Sequence, residues 1–264
     1  MKKCLTALVL ILLIESLINP LAGQEETVKR WAISFSTGLS IPTGSFAKDD
    51  PLGSVIYDLS DPNDPTPLIL GFDKSKSGFA KLGYYYCGDI RYKMGKAGLF
   101  LMLTYGKSNN VVQTKNLSDF LTNYTGQQSL EHVDYEIITF SPGLGISKTY
   151  KDLIFTVGAS IGYAVSKYPY YKSTLLYTST NPKIIWAHDG DRPDLSGLNI
   201  AFQLKLEYEI SSRWFIGFSS QYQASSFKYE MYNRTIPGGS NTFKINETLK
   251  IDLLTTGFTI GFKM

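Results

Sequence analysis

Cysteine is almost absent from this chain, which has two cysteines among 264 residues. Cys4 lies in an apolar segment at the N-terminus, and Cys87 lies well beyond that segment. If the N-terminal segment is removed on export, one thiol remains, and one thiol cannot close an internal disulfide. We therefore expect a fold that holds together without disulfide bonds.

Long hydrophobic runs are also missing from residues 24–264, which argues against a membrane-spanning helix there. An apolar run at residues 4–14 is preceded by two lysines and leads to the small-residue exit Leu21-Ala22-Gly23. This order is typical of a secretory signal peptide, and the run falls short of the roughly 20 residues that a spanning helix needs. We predict a signal peptide at residues 1–23, cleaved after Gly23, followed by one domain at residues 24–264.

A charge excess of one sign is missing as well, because 26 Lys and Arg face 23 Asp and Glu. Nothing in this balance favours a nucleic-acid partner. Aromatics and glycine are plentiful instead, with 18 Tyr, 15 Phe and 23 Gly. Tyr and Phe favour strands, and Gly marks turns and places where backbones approach closely. The composition predicts an all-β protein, and an exported all-β chain is either soluble or crosses a membrane as a closed barrel.

Alternation of apolar and polar residues is the strongest pattern in the sequence. In LNIAFQLKLEYEI (198–210) every second residue is apolar, which is typical of a strand with two unlike faces. Eight segments of this kind are long enough for the 9–11 residues of a tilted transmembrane strand. They lie at about 30–42, 78–93, 98–107, 134–148, 153–166, 197–210, 213–227 and 245–263.

The eighth segment contains a change of parity. Its apolar set runs Leu249, Ile251 and Leu253, and then shifts by one residue to Leu254, Phe258, Ile260 and Phe262. A shift of one residue predicts a β-bulge in this strand.

Short and long connections alternate strictly between the eight segments. Strands two and three, four and five, and six and seven are joined by a few residues each, whereas the other four connections, at about 45–77, 108–133, 167–196 and 228–244, are long. Bacterial outer-membrane barrels have short periplasmic turns and long extracellular loops. The pattern therefore predicts an eight-stranded antiparallel up-and-down transmembrane β-barrel with long extracellular loops.

Aromatic residues of apolar parity gather near both ends of the predicted strands, as expected where strands leave a bilayer. One predicted girdle lies toward the short turns and the other toward the long loops. The first contains Trp31, Tyr92, Tyr150, Tyr208 and Trp214, and the second contains Tyr84, Tyr105, Tyr163 and Tyr222.

A soluble barrel of the lipocalin type, with its apolar face inside, would show the same alternation. It would have to crowd about twenty-five large apolar side chains into an interior that eight strands leave only just wide enough for side chains. We therefore favour the membrane barrel, in which the polar set faces inward. That set contains Lys81, Asp89, Arg91, Lys205, Glu207, Glu209, Arg213, Lys250 and Asp252.

Two segments carry a resemblance to a known family: GLSIPTGSFA (38–47) in the first strand and LLTTGFTIGFKM (253–264) in the closing strand. The chain resembles the outer-membrane β-barrel domain family of Bacteroidota, related in shape to the small OmpA/OmpX-type barrels. The resemblance implies an outer-membrane location, contact with outer-membrane lipid and lipopolysaccharide, and insertion by the barrel-assembly machinery. It implies no particular activity, and the final Met264 departs from the terminal aromatic common in such strands.

Catalytic and metal-binding candidates are few. His188 adjoins Asp189 and Asp191 in a long loop, but no nucleophile accompanies them, and His132 is the only other histidine. Two acidic runs could offer calcium ligands but lack the EF-hand spacing, so we interpret them as solvated turns. Those runs contain Asp58, Asp61 and Asp64, and Asp189, Asp191 and Asp194. We predict no catalytic residue, metal or cofactor.

A lumen charge network is predicted near the short-turn end from Asp89, Arg91, Glu207, Glu209 and Arg213, whose charges converge at similar depths. Buried charges need partners, so mutual salt bridges and a closed lumen are expected. In the long loop at 168–190, TLLYT and KIIWA are expected to form a hairpin that continues strands five and six. Its Tyr and Trp residues suit either a protein or glycan ligand or the packing of the loop itself.

These patterns together predict a monomeric, non-enzymatic outer-membrane barrel with a structural, surface-contact or assembly role. Two other classes stay open. One is a protease or lipid-modifying enzyme at the outer rim, and the other is a narrow channel for small solutes.

Overall fold

The computed structural model describes residues 30–58, 68–95, 97–125, 128–167, 171–175, 183–187, 194–234 and 242–264. The predicted signal peptide lies outside the described residues, as do His188, Asp189 and Asp191 and the acidic positions 61 and 64. Within these ranges, no helix is long and apolar enough to cross a bilayer.

Thirteen strands and two helices make up the described chain. They are β1 (Trp31–Thr43), α1 (Pro51–Ser54), β2 (Val55–Asp58), β3 (Leu68–Phe72), β4 (Ala80–Met94), β5 (Leu99–Val112), α2 (Lys115–Thr125), β6 (Gln128–His132), β7 (Tyr135–Tyr150), β8 (Leu153–Lys167), β9 (Tyr171–Leu175), β10 (Lys183–Ala187), β11 (Asp194–Glu209), β12 (Trp214–Arg234) and β13 (Thr242–Lys263).

Eight of these strands close into a barrel in the order β1-β13-β12-β11-β8-β7-β5-β4. Every neighbouring pair is antiparallel, including the β1–β4 pair that closes the ring. The predicted fold class is confirmed, and each of the eight predicted segments corresponds to one barrel strand. Closure leaves no unpaired sheet edge, which is what a sheet in a bilayer requires.

Strand β12 runs to Arg234, seven residues past its predicted outer end, and β13 begins at Thr242, three residues before its predicted start. Their pairing is continuous from Trp214 opposite Phe262 to Arg234 opposite Thr242. Hydrogen bonding between strands does not need an apolar face. The alternation that marks lipid contact therefore stops before the ladder does, and the sequence pattern underestimates these strands.

Below the loop end, the outward side chains of the barrel strands are mainly apolar and the inward side chains are mainly polar. On β11 the outward side chains from Leu198 to Tyr208 are 40% to 59% exposed, whereas the inward ones from Asn199 to Glu207 are at most 5% exposed. A lipocalin-type barrel would show the opposite arrangement. The predicted assignment of the two faces is therefore confirmed for this strand.

The predicted bulge in the eighth barrel strand is wrong. The register of β13 against both β1 and β12 is unbroken, so its side chains alternate strictly. Leu249, Ile251 and Leu253 face inward and are fully buried, while Leu254 belongs to the outward set. The apolar set changes parity because the lumen itself becomes apolar toward the long loops.

Three predicted inward charges are also corrected. Lys250 is exposed and Asp252 half-buried, because both lie on the outward parity of β13. Lys81 is exposed at a register shift between Ala80 and Gly83, which breaks the alternation at the start of β4.

The short turns gather at one end of the barrel together with the start of β1 and the end of β13. The β4–β5 turn needs glycine at Gly98, which has a φ of +75° and whose missing Cβ would lie 2.2 Å from the carbonyl oxygen of Ser147. The β7–β8 turn places Lys151 in the left-handed region with a φ of +53°. We call this end the short-turn end, and the opposite end the loop end.

The loop end carries additional structure. Strands β2 and β3 form a hairpin, and β6, β9 and β10 form a three-stranded sheet. Of the predicted hairpin between TLLYT and KIIWA, the structure describes only Thr174 and Leu175 of the first arm, and these pair antiparallel with Ile184 and Lys183 in the β9–β10 ladder. Residues 176–178 of the first arm lie outside the described residues. The β9–β10 pair belongs to the separate sheet with β6 rather than extending the barrel, because β9 pairs with Gln128–His132 on its other side.

Candidate functional site: a lumen filled in three layers

The interior of the barrel is the candidate functional site. Its inward side chains change in character along the barrel axis. On β11 they run from Glu207 and Lys205 near the short turns, through Gln203 and Asn199, to Leu195 at the loop end, and each is buried. The lumen therefore contains a charged layer, a neutral polar layer and an apolar layer.

The charged layer consists of Asp89 and Arg91 on β4 and Lys205 and Glu207 on β11. We call these four residues the charge cluster. Arg91 spans the lumen and binds Glu207 with both terminal nitrogens, Nη1 to Oε2 at 2.9 Å and Nη2 to Oε1 at 2.8 Å. This bidentate geometry is the strongest form of Arg–carboxylate pairing.

Asp89 joins the two halves of the charge cluster. Its Oδ1 lies 3.1 Å from Nε of Arg91, and its Oδ2 accepts hydrogen bonds from Lys205 and from the Ser34 hydroxyl. Lys205 Nζ also donates to Ser34 Oγ at 3.1 Å. Two carboxylates thus face two cations, so the cluster is neutral as a unit and each charge has an opposite partner.

Aromatic rings complete this layer toward the short-turn end. The guanidinium carbon of Arg91 lies 5.2 Å from the ring centroid of Phe215, and both Phe215 and Phe100 are buried. A pocket of about 100 Å³ at this mouth reaches Arg91 and Glu207. Aromatic rings and cations border this pocket, among them Phe100, Phe215 and Lys263.

Three of the five residues of the predicted lumen charge network come together in the structure: Asp89, Arg91 and Glu207. Glu209 lies instead at the rim, half-buried, where it pairs with Lys263. Arg213 is exposed in the turn before β12, because that turn carries it past the end of the lumen. Lys205 belongs to the charge cluster but is not part of the predicted network. Its inward parity on β11 was the signal that could have identified it.

The neutral polar layer is held by hydrogen bonds between inward side chains. Asn199 donates to the Ser141 hydroxyl at 3.0 Å and accepts from the Ser225 hydroxyl at 2.9 Å. The Tyr85 and Ser219 hydroxyls lie 2.9 Å apart. Buried polar groups that are paired in this way fix the side chains in place.

The apolar layer, which we call the apolar plug, closes the loop end. It combines inward residues of the barrel strands with side chains from two connections, and all are buried. The strands supply Ile137, Phe227, Leu249, Ile251 and Leu253, and the connections supply Phe46, Phe72, Phe79, Leu117 and Leu121. Leu117 and Leu121 are four residues apart on α2, on one face of the helix.

Specific contacts anchor the apolar plug to the barrel wall. The Tyr135 hydroxyl donates to the carbonyl of Gly78 at 2.7 Å, and its ring meets Phe46 edge-on at 4.8 Å. Sequence reasoning missed this layer, since Phe46, Phe72 and Leu117 lie in connections where alternation gives no information. In the sequence, only the change of parity after Leu253 indicated this apolar layer.

The predicted aromatic girdles lie on the outer face. Eight of the nine residues are 42% to 67% exposed, and the ninth, Tyr92, is half-buried because its ring lies 4.7 Å from that of Trp31. The register gives their depth. Trp31 pairs with Tyr92 near the short turns, and Tyr105 pairs with Phe140, which pairs with Tyr163 toward the loops.

On the described part of the chain, no three His, Cys, Asp or Glu side chains are arranged to hold a metal ion. His132 ends β6, Asp58 ends β2, and Asp194 begins β11 as an exposed residue. These positions lie on different elements at the loop end.

Comparisons with known proteins give only distant likenesses. No family model matches the chain, and no curated protein matches it. Several solved structures are similar to this chain, including the following three. Neisserial surface protein A is 7% identical with a TM-score of 0.40, over 89% of this chain and 97% of its own. Ail, the attachment invasion locus protein of Yersinia pestis, is 9% identical with a TM-score of 0.36, over 88% and 99%.

The third is the outer membrane protease OmpT from Escherichia coli, which is 10% identical with a TM-score of 0.42, over 92% of this chain and 99% of its own. At such low identity and TM-score, nothing about function passes from these proteins to this chain. The relation to a Bacteroidota-type family stays a prediction.

Proposed function

We propose that this protein is a monomeric integral outer-membrane barrel with a closed lumen that presents folded loop-end structure at the cell surface, and that it is not an enzyme. The outward apolar band supports the membrane location. Between the two girdles it holds side chains such as Phe155, Leu204 and Phe218, each more than half exposed. A soluble protein rarely exposes contiguous apolar patches larger than a few hundred Å².

The filled lumen is the observation that carries the proposal. The charge cluster occupies the short-turn half and the apolar plug occupies the loop half. An ion would have to displace paired charges and then cross a layer of buried Phe, Leu and Ile side chains, in which Lys74 is buried against the Phe72 and Phe79 rings. Moving a charge into such an apolar environment is strongly unfavourable. The lumen is therefore suited to holding the barrel rigid rather than to passing solutes.

The loop end supports the surface role. It carries the β2–β3 hairpin, α2 and the β6-β9-β10 sheet, and the apolar plug fixes the connections that contain Phe72 and Leu117 to the barrel. A surface held in one conformation loses less conformational entropy on binding than a flexible one. We propose that this end contacts a protein or glycan outside the cell, while outer-membrane lipid and lipopolysaccharide surround the band.

Planar-bilayer recording of the purified protein tests the closed lumen. We expect almost no steady conductance, because two independent layers block the path. A quadruple variant that replaces the charge cluster with small neutral residues, Asp89→Ser, Arg91→Ser, Lys205→Ser and Glu207→Ser, should also stay closed, since the apolar plug remains. A large steady conductance in the unmodified protein would contradict the proposal and favour the channel.

A further inference from the structure

The outer face of the barrel carries a groove of about 510 Å³ that crosses five neighbouring strands, β8, β11, β12, β13 and β1. The cross-strand row Phe218, Phe258 and Thr37 explains its position, because the short Thr37 interrupts a row of large side chains. Six apolar side chains border the groove, each 42% to 67% exposed: Phe35, Leu206, Ile216, Phe218, Phe258 and Ile260.

Two exposed arginines lie below this groove at the short-turn end. Arg213 precedes β12 and Arg30 precedes β1, with only β13 between those strands. The carbonyl of Arg213 accepts a hydrogen bond from Lys263 N at 2.7 Å, and Trp31 N donates to the carbonyl of Met264 at 3.3 Å, so both arginines adjoin the end of β13. Two strand spacings correspond to about 10 Å, which two long side chains can bridge around one phosphate group.

Neither arginine has a carboxylate partner among the described residues. Lys263, which lies between them, is paired with Glu209, whereas no Asp or Glu of the described chain is within ion-pair distance of Arg30 or Arg213. Arg30 Nη1 lies 3.4 Å from the hydroxyl of Tyr92, a residue of the short-turn girdle. Its guanidinium therefore lies at the level of the girdle, on the rim, where Arg30 also borders the pocket at the mouth of the lumen.

The depths of the arginines and the groove match the layers of a bilayer. Ile216 is three residues from Arg213, which is about 10 Å along a strand and about 7–8 Å along the membrane normal for a strand tilted by about 40°. The head-group layer is about 5–7 Å thick on each side of the hydrocarbon core. The groove thus lies at acyl-chain depth, and the guanidinium groups lie at head-group depth.

We propose that the groove and the two arginines form a binding site for one anionic phospholipid of the periplasmic leaflet. An acyl chain lies along the groove, and the phosphate of the head group accepts hydrogen bonds from Arg30 and Arg213. Arginine suits this role because its planar guanidinium donates two parallel hydrogen bonds to phosphate oxygens. The site rests on the proposed membrane location and orientation.

The head-group contact is tested by reconstituting the protein into vesicles of equal phosphatidylglycerol and phosphatidylcholine, extracting it in mild detergent, and measuring retained lipid by native mass spectrometry. Retained phosphatidylglycerol should exceed phosphatidylcholine. The double variant Arg30→Gln, Arg213→Gln should lower its retention by about fivefold for each arginine. The matched control Lys148→Gln, Lys151→Gln removes two charges from the same rim away from β12, β13 and β1, and should leave retention unchanged.

The groove is tested separately by Thr37→Phe, which fills the gap in the aromatic row and should lower lipid retention. Ala159→Phe adds the same ring at an exposed position on β8 that does not border the groove, and should have no effect. The proposed site would be overturned by any of three results. The arginine and lysine double variants lose phosphatidylglycerol equally, the unmodified protein retains both lipids equally, or Thr37→Phe retains as much phosphatidylglycerol as the unmodified protein.

Insertion of each variant is checked first by its heat-dependent shift on a gel. Failure of the unmodified protein to insert into vesicles would contradict the proposed membrane location. Normal insertion without selective retention of phosphatidylglycerol would contradict the lipid site alone.

Discussion

Leu204 and Lys205 are neighbours in the chain, yet the first is 59% exposed on the outer face and the second is buried in the lumen. The alternation of outward and inward residues therefore gives neighbouring positions opposite substitution profiles, meaning opposite sets of side chains that each position accepts. An outward position tolerates any apolar side chain and rejects charge. An inward position of the charge cluster rejects the loss of charge, because its partner stays behind.

The outward profile predicts the effect of Leu204→Arg. A charge near the middle of the lipid-facing band should cost about 2–4 kcal/mol of folding free energy, measured by urea unfolding in vesicles. Ser226→Arg is the control, since Ser226 is an exposed outward residue of β12 beyond the loop-end girdle, where a charge costs about 0–1 kcal/mol. Equal effects of the two substitutions would show that Leu204 does not face lipid.

The inward profile predicts the effect of Glu207→Gln. This change leaves Arg91 without its bidentate partner in a buried site, and loss of one member of a buried pair costs about 3–5 kcal/mol. Urea unfolding measures it. Glu209→Gln is the matched control, because the Glu209–Lys263 pair is about one quarter exposed and should lose no more than about 1 kcal/mol. A larger loss in Glu209→Gln than in Glu207→Gln would contradict the assignment of the cluster.

At the scale of secondary-structure elements, the barrel strands follow from alternation and the loop-end structure does not. Residues 198–210 repeat one pattern far enough to fix a strand and its faces. Phe46, Phe72 and Leu117 show no such repeat, and they become a core only when β1, β4 and α2 are brought together. The bulge was wrongly predicted in β13 for the same reason. Local alternation cannot show that residues distant in sequence make the loop end of the lumen apolar.

The apolar plug predicts how the connections respond to Phe46→Ala. This fully buried ring contacts Tyr135, and removing a buried Phe costs about 3–5 kcal/mol. We expect faster proteolysis between β1 and β4 with an unchanged heat-dependent gel shift. Leu52→Ala, at a residue of the same connection that is 71% exposed, is the control and should change neither. Loss of the gel shift in Phe46→Ala would show that the plug and the barrel fold as one unit.

The alternation of short and long connections predicts orientation. An epitope tag inserted within 178–182 should be reached by antibody on intact cells, whereas a tag at Ser211-Ser212, in a short turn, should be reached only after the outer membrane is opened. Labelling of the Ser211-Ser212 tag on sealed cells would reverse the orientation of the barrel.

At the scale of the whole molecule, residues are sorted by their surroundings. Apolar residues face outward toward lipid. Inside, paired polar and charged residues fill the short-turn half of the lumen, and the apolar plug fills the loop end. Sequence pattern was sufficient for the barrel and for three members of the charge cluster. It placed Glu209 and Arg213 one layer too deep, since parity gives the direction of a side chain but not where the lumen ends.

Depth profiling of the reconstituted protein tests the transmembrane barrel most directly. Spin labels at Leu198, Leu204 and Tyr208, each introduced as a single cysteine in a Cys87→Ser background, report contact with oxygen, which concentrates in lipid, and with a water-soluble nickel complex. The account predicts the highest ratio of oxygen to nickel contact at Leu204 and lower ratios at the two ends. A nickel contact at Leu204 as high as at Leu198 and Tyr208 would contradict it.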